Sequence, residues 1–227
     1  MPRERKAPLS TEAGDPEVEV RDVTDGLWLW RQRHWEWRPG DDWEPNVSSF
    51  VAEANGEVLL IDPLAPRPPA SGVYDRLGRQ TPTAAVVLKP DHVRDVDLFV
   101  HWYGIPAYGP WLFWRNDLPK VELKPVRPGD ALPGGAVALY DGRDAMETPI
   151  YLPNQRAIVF ADAMTAPGGV LRVWWSPGLR ERTLPALRAM LELPFDHVLV
   201  AHGTPVHNRD DFEAALEREP WSAPTTT

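Results

Sequence analysis

The sequence predicts an α/β (α+β) protein in which two β-sheets pack together with helices on their outer faces. Three observations predict it. Short apolar or alternating strands come in two series, each followed by an amphipathic helix, an order that suits layered sheets better than a helical bundle. Twenty-six prolines and 16 glycines punctuate the 227 residues, which favours many short elements joined by ordered loops. Hydrophobic residues make up 43% of the chain, enough for one large core. The domain is expected to span 18–219, between a polar, disordered tail at 1–17 and a short one at 220–227.

The elements follow in order. Residues 18–23 and 27–31 read as strands around the turn Thr24-Asp25-Gly26. After a tryptophan-rich loop, 47–53 alternates and ends at Ala54-Asn55-Gly56, a hairpin signal, and 57–61 completes the hairpin and runs into Asp62-Pro63. Four strands in series suggest an antiparallel half-sheet. A proline-rich loop precedes a short helix at 73–79. The run 84–100, AAVVLKPDHVRDVDLFV, is the most informative stretch. An apolar strand (84–88) stops at Lys89-Pro90, and Asp91-His92 then opens a helix to about Tyr103 that buries Val93, Val96, Phe99 and Val100. Gly104 suits the position after the helix and Pro106 prevents its continuation. A strand at 105–108 follows, compatible with a parallel crossover. Further strands are expected at 121–125, 136–140, 148–152, 157–160 and 198–201, with helices at 182–193 and 210–218.

Composition narrows the function. A net charge of -9 and a pI near 5.2 argue against nucleic acid or an anionic membrane as the main partner, leaving a small-molecule ligand. There is no cysteine, so neither a disulfide nor a thiolate metal site can form, which fits a cytoplasmic location. The N-terminal stretch has no apolar segment after its basic residues, unlike a signal peptide or a membrane span. There is no phosphate-binding G-x-x-x-x-G-K-[ST], no G-x-G-x-x-G after a strand and no G-x-S-x-G nucleophile elbow.

Four segments carry a resemblance: Gly26-Leu27-Trp28; Asn46-Val47 followed by 58–62 with its terminal Asp62; Phe160-Ala161-Asp162-Ala163; and Val200-Ala201-His202-Gly203-Thr204-Pro205. In order and spacing they resemble the metallo-β-lactamase fold, an αββα sandwich of two mixed sheets packed face to face with helices outside, over about 18–218. They match that family's opening strand, its second hairpin with a strand-end Asp, the segment of its metal-bridging aspartate, and its last histidine.

The chain departs from the family's H-x-H-x-D-H motif. An ungapped placement puts Pro90, His92, Arg94 and Asp95 where the family has His, His, Asp and His. A gapped placement puts Asp91-His92 on the final Asp-His, with both leading histidines deleted. The gapped placement is preferred, because the segment from Leu88 to Ile105-Pro106 is short for the family and Asp91 suits a helix N-cap. In the stretch matching the family's Gly-His-x-Pro-Gly turn, Arg143 replaces the histidine. Both observations imply that the all-histidine first metal site is lost.

The resemblance then implies a second site of Asp91, His92, Asp162 and His202, suited to one divalent ion such as Zn²⁺, Mn²⁺ or Fe²⁺. It implies a single-metal hydrolase whose substrate stays open. Four protein ligands would close a tetrahedral zinc, so catalysis would need a larger coordination number or Asp162 released as general base. Arg143 is a candidate catalytic and substrate-binding residue, paired with Asp162 or clamping an anionic group. The alternative is a non-catalytic ligand- or partner-binding protein that keeps the fold without metal, with Arg94 turned inward in the ungapped placement. Singly, Asp91 is more simply an N-cap, His202 a loop residue and Asp162 a turn former. His34, His101, His197 and His207 lack partner spacing and read as structural or surface residues. Of the 11 tryptophans, Trp28 and Trp30 share a strand face and fill the core. Trp35, Trp37 and Trp43 lie in the loop that overhangs the site in the resembling family, and Trp111, Trp114, Trp174 and Trp175 flank other edges. An aromatic ligand wall and a homodimer interface explain them equally.

Overall fold

Strands with apolar residues on both faces determine the layering, because each face must be covered by something other than water. The structure, a computed structural model, describes residues 18–67, 71–113, 117–143 and 147–222. Its first sheet contains seven strands in sequence order: β1 (Glu19–Thr24), β2 (Leu27–Arg33), β3 (Asn46–Ala54), β4 (Glu57–Ile61), β5 (Ala84–Val86), β6 (Ala107–Gly109) and β7 (Leu123–Pro125). As expected, β1 to β4 are antiparallel, and Asn55 and Gly56 close the β3–β4 hairpin with positive φ of 54° and 79°. From β4 onward the pairing is parallel. Helix α1 (Ser71–Arg79) connects β4 to β5, and α2 (Val96–Tyr103) connects β5 to β6.

The second sheet has the order β14 (Val206–Asn208), β13 (His197–Val200), β10 (Ala157–Phe160), β9 (Ile150–Leu152), β8 (Val137–Ala138). The pair β10 and β13 is parallel and the others antiparallel. A small ribbon, β11 (Met164–Thr165) with β12 (Arg172–Val173), was not expected from sequence and lies beside the site. The strand β14 was also unexpected. Helix α3 (Leu184–Ala189) forms the middle of a helical segment from Leu179 to Glu192, and α4 (Arg209–Ala215) closes the fold behind a capping box of Asn208 and Asp211.

Three apolar layers result. Between the sheets, Leu29, Phe50, Leu59 and Val86 meet Ile150, Ala157, Val159 and Leu199. Outside the first sheet, Trp28 and Trp30 lie with Leu60, Val73, Leu77 and Phe99 under α1 and α2. Outside the second, Ile158, Phe160 and Val200 face Leu187 and Phe212 of α3 and α4. The alternation Ala157/Val159 inward and Ile158/Phe160 outward is what a strand covered on both sides requires. No helix among the described residues is long and apolar enough to cross a membrane.

Two expectations need correction. Helix α2 starts at Val96, not Asp91, so its N-cap position is Asp95. Residues 89–95 instead form a turn in which His92 N–H bonds to Lys89 O and Arg94 takes a φ of 45°, incompatible with helix propagation. The C-terminal tail also differs: Trp221 adds to β12 through its N–H to Val173 O, and its indole N–H bonds to Asp42 O at 2.9 Å. The expected tail at 1–17, and residues 223–227 of the other, lie outside the described residues.

Candidate metal centre

The centre lies where strands of both sheets end. Asp162 and His202 each stand two residues beyond the C-terminal ends of the parallel pair β10 and β13, so their side chains share one edge. Asp62 follows β4, and Lys89 and His92 follow β5, the parallel neighbour of β4 in the other sheet.

His92 is held from behind. Its Nδ1 lies 2.8 Å from Asp62 Oδ2, and both residues are buried. Asp62 in turn accepts Leu88 N–H at Oδ1, while its carbonyl accepts the Ser49 hydroxyl and the Arg94 guanidinium at 2.8 Å each. These contacts hold Asp62 at a φ of 45°, an unusual conformation that Asp tolerates better than most residues. A carboxylate on one ring nitrogen leaves the other, Nε2, to face the centre, the arrangement that orients metal-ligating imidazoles.

His202 is seated by its backbone. Its carbonyl accepts Ala166 N–H at 3.0 Å, and the preceding Ala201 carbonyl accepts Ser48 N–H at 2.9 Å. Gly203 follows with φ of 84°, and a Cβ there would collide with the Ala166 carbonyl. Gly203→Ala is therefore expected to destabilise the fold by at least ~1 kcal/mol through positive φ alone, and by more through the clash. Thermal melting checks this; an unchanged midpoint would contradict it. Around the His202 ring stand Trp43 and Trp174, edge-on, with centroids at 5.2 and 5.9 Å.

Asp162 divides its two oxygens. Oδ2 is 2.8 Å from the Lys89 ammonium. Oδ1 is 3.3 Å from His92 Nε2 and 3.1 Å from His202 Nε2, ion-pair contacts without the alignment of a good hydrogen bond. Burial opposes ionisation of Asp162, but Lys89, His92 and His202 outweigh it and hold the carboxyl well below the ordinary range. Burial and Arg94 work against a charged His92, while Asp162 and Asp62 prevail and raise it to about 9. His202 moves the other way, lowered chiefly by burial.

Behind Asp162 lies a buried ion cluster. Glu147 accepts the backbone N–H groups of Ala161, Asp162 and Ala163 at 2.7–2.9 Å, a concave set of donors suited to an anion. Arg143 binds the same carboxylate and also Asp141, with Nε at 2.7 Å from Asp141 Oδ2. Arg143 thus fixes Glu147, and Glu147 fixes the backbone that presents Asp162.

The sequence-derived site residues separate accordingly. His92, Asp162 and His202 come together, each offering a donor atom within 4.8 Å of the others. Asp91 does not join them: its carboxylate pairs with Lys89, two residues earlier, and its side chain is 39% exposed. Arg143 neither pairs with Asp162 nor projects as a clamp, because two fully buried carboxylates already engage its guanidinium. Arg94 does turn inward, but onto the carbonyls of Ser48 and Asp62. Trp35 and Trp37 are not the rings beside His202. Trp35 is half exposed and stacks on His34; Trp37 donates its indole N–H to Trp43 O and lies under Arg33. Trp111 is exposed, and Trp114 lies outside the described residues. His34, read as structural, packs edge-on against Trp43 near the centre, where burial, Arg94, His92 and His202 push it down to about 3. Lys89 was missed; a lysine directly after an apolar strand and before proline was the available signal.

The donor set can be tested against an ion. Zinc bonded to nitrogen and oxygen at about 2.0–2.1 Å in a tetrahedron separates its ligand atoms by about 3.3 Å. The 3.1 and 3.3 Å separations around Asp162 Oδ1 match that spacing. A buried carboxylate oxygen between two imidazole nitrogens, with no well-aligned donor, also suits a cation. The residues fit one divalent ion.

No protein-family model matches the sequence, and no curated protein matches it significantly. Solved structures do match in fold. The FIM-1 metallo-β-lactamase from Pseudomonas aeruginosa in its mono-zinc form superposes with a TM-score of 0.63 at 16% identity, covering 90% of this chain and 96% of that one. The DIM-1 metallo-β-lactamase gives 0.64 at 12% identity, covering 89% and 96%. A metallo-β-lactamase family protein from Thermus thermophilus gives 0.60 at 16%, covering 86% and 78%. With two mixed sheets face to face, helices outside and a His/Asp/His group at the strand ends, the chain has the metallo-β-lactamase fold.

Proposed function

We propose that this protein is a single-metal hydrolase acting on a small molecule with an apolar or ring-bearing group. The observation that carries the reading is the convergence of His92, Asp162 and His202, with Asp162 Oδ1 at 3.3 Å from His92 Nε2 and 3.1 Å from His202 Nε2 and the three donor atoms within 4.8 Å of one another. Because Asp91 lies elsewhere, three protein ligands remain instead of four, which leaves a position open as catalytic sites require. A divalent ion bound there would supply Lewis acidity and a water of lowered pKa. The chain's own residues do the rest. Asp62 orients His92, Glu147 and Lys89 orient Asp162, and Trp43 and Trp174 shield the His202 side and offer flat apolar faces to a ring.

A second reading has one specific observation in its favour. Lys89, Arg94 and a protonated His92 together balance Asp62, Asp91 and Asp162 with no ion at all. On that reading the protein binds a ligand without hydrolysing it.

Elemental analysis of chelator-free protein, with a thermal melt, separates the two. The hydrolase reading predicts about one equivalent of Zn, Mn or Fe. It also predicts a rise of ~5–10 °C with Zn²⁺ at a hundredfold over Kd, and chelator-sensitive cleavage within a panel of lactams, thioesters, lactones and phosphodiesters. No metal and no shift would overturn it. A loaded protein inert toward the panel would count against catalysis alone.

A further inference from the structure

We propose that the Lys89 ammonium is a built-in cation standing where a second metal ion would share Asp162, so that the centre takes one ion only. The identity of that one ion's site rests on the preceding reading. A carboxylate can join two metal ions by putting one oxygen on each, in sites whose ions lie about 3.5–4 Å apart. Asp162 shows this division, but Oδ2 meets Lys89 Nζ at 2.8 Å and only Oδ1 faces the imidazoles. The same ammonium takes Asp91, the other carboxylate within reach, and so removes a further ligand from the centre.

Two features make Lys89 a fixed part of the site rather than a surface residue that happens to lie near it. Its side chain is 9% exposed, so water screens its charge poorly. Its backbone closes the turn that carries His92. A dication placed beside Oδ2 would face this charge and that of the partly buried Arg94, whose guanidinium binds Asp62 O.

The test compares zinc stoichiometry in wild type and three variants, by elemental analysis after equilibration with excess Zn²⁺ and desalting, with circular dichroism to establish folding. Wild type is expected to hold one ion and Lys89→Ala two, because Asp91 and Asp162 Oδ2 are released. Lys89→Arg keeps the charge and the wild-type stoichiometry; a second ion in it contradicts the proposal. Should Lys89→Ala not fold, Lys89→Gln, which fills the space without charge, is expected to bind zinc at least tenfold more tightly by calorimetry. Unchanged or weaker affinity there overturns the proposal. One ion in both wild type and folded Lys89→Ala overturns the role of Lys89 and leaves the metal centre standing. No ion in wild type but one in Lys89→Ala does the reverse, and none in either refutes both.

Discussion

Arg143→Met is expected to lower the melting temperature by roughly 6–20 °C, corresponding to a loss of about 3–5 kcal/mol for breaking a buried ion pair. Asp141 and Glu147 both have fully buried side chains, and the Arg143 guanidinium is the cation between them. Methionine would fill much of the volume but leave two carboxylates facing one another without water or a counter-charge. One of them would then have to take up a proton. A proton on Glu147 would be felt at the site, since its carboxylate holds three consecutive N–H groups from Ala161 to Ala163. Metal affinity should fall along with stability. A melting curve within ~2 °C of wild type would contradict this account, since only surface substitutions are ordinarily so mild.

Asp162→Ala is expected to abolish specific ion binding, weakening zinc affinity by more than ~100-fold. Changes to residues that merely orient a ligand already cost 10–100-fold, and Asp162 is placed to be a ligand itself. The substitution also strips Lys89 of its 2.8 Å partner and leaves the two imidazoles with no anion between them. The informative contrast is Asp91→Asn. With Asp91 partly exposed and paired only with Lys89, zinc affinity should stay within about fivefold of wild type, the scale of a partly exposed ion pair. Calorimetric titration of both variants decides. Equal losses would mean that Asp91 belongs to the coordination shell after all, and no loss from Asp162→Ala would remove the centre.

Much of this architecture was legible in the residues. Asn55-Gly56 marks a hairpin by its positive φ, and the both-faces apolar pattern of 157–160 marks a strand covered on two sides. The convergence of His92, Asp162 and His202 was legible as well, since each follows an apolar strand whose end it must occupy. What strand ends do not reveal is the direction of a side chain in a turn. Asp91 reads as a helix cap or a ligand, but the helix begins five residues later because Arg94 has left-handed backbone, and Asp91 turns to Lys89 instead. Arg143 reads as a cation for Asp162, yet its true partners, Asp141 and Glu147, lie two residues before and four after it. Local partners won in both cases, and nothing in residue spacing ranks a neighbour in the chain above a partner brought near by folding. Loop position placed Trp35, Trp37 and Trp43 over the site and Trp174 at its edge; of these, packing brings Trp43 and Trp174 against His202.

One ion is expected to bind between His92, Asp162 and His202. Diffraction from crystals grown with Zn²⁺, recorded on both sides of the zinc absorption edge, tests it most directly. A single anomalous peak per chain is expected within bonding distance of His92 Nε2, Asp162 Oδ1 and His202 Nε2, with Asp91 still on Lys89. No peak there, or a peak that draws in Asp91 and displaces Lys89 from Asp162, would contradict it.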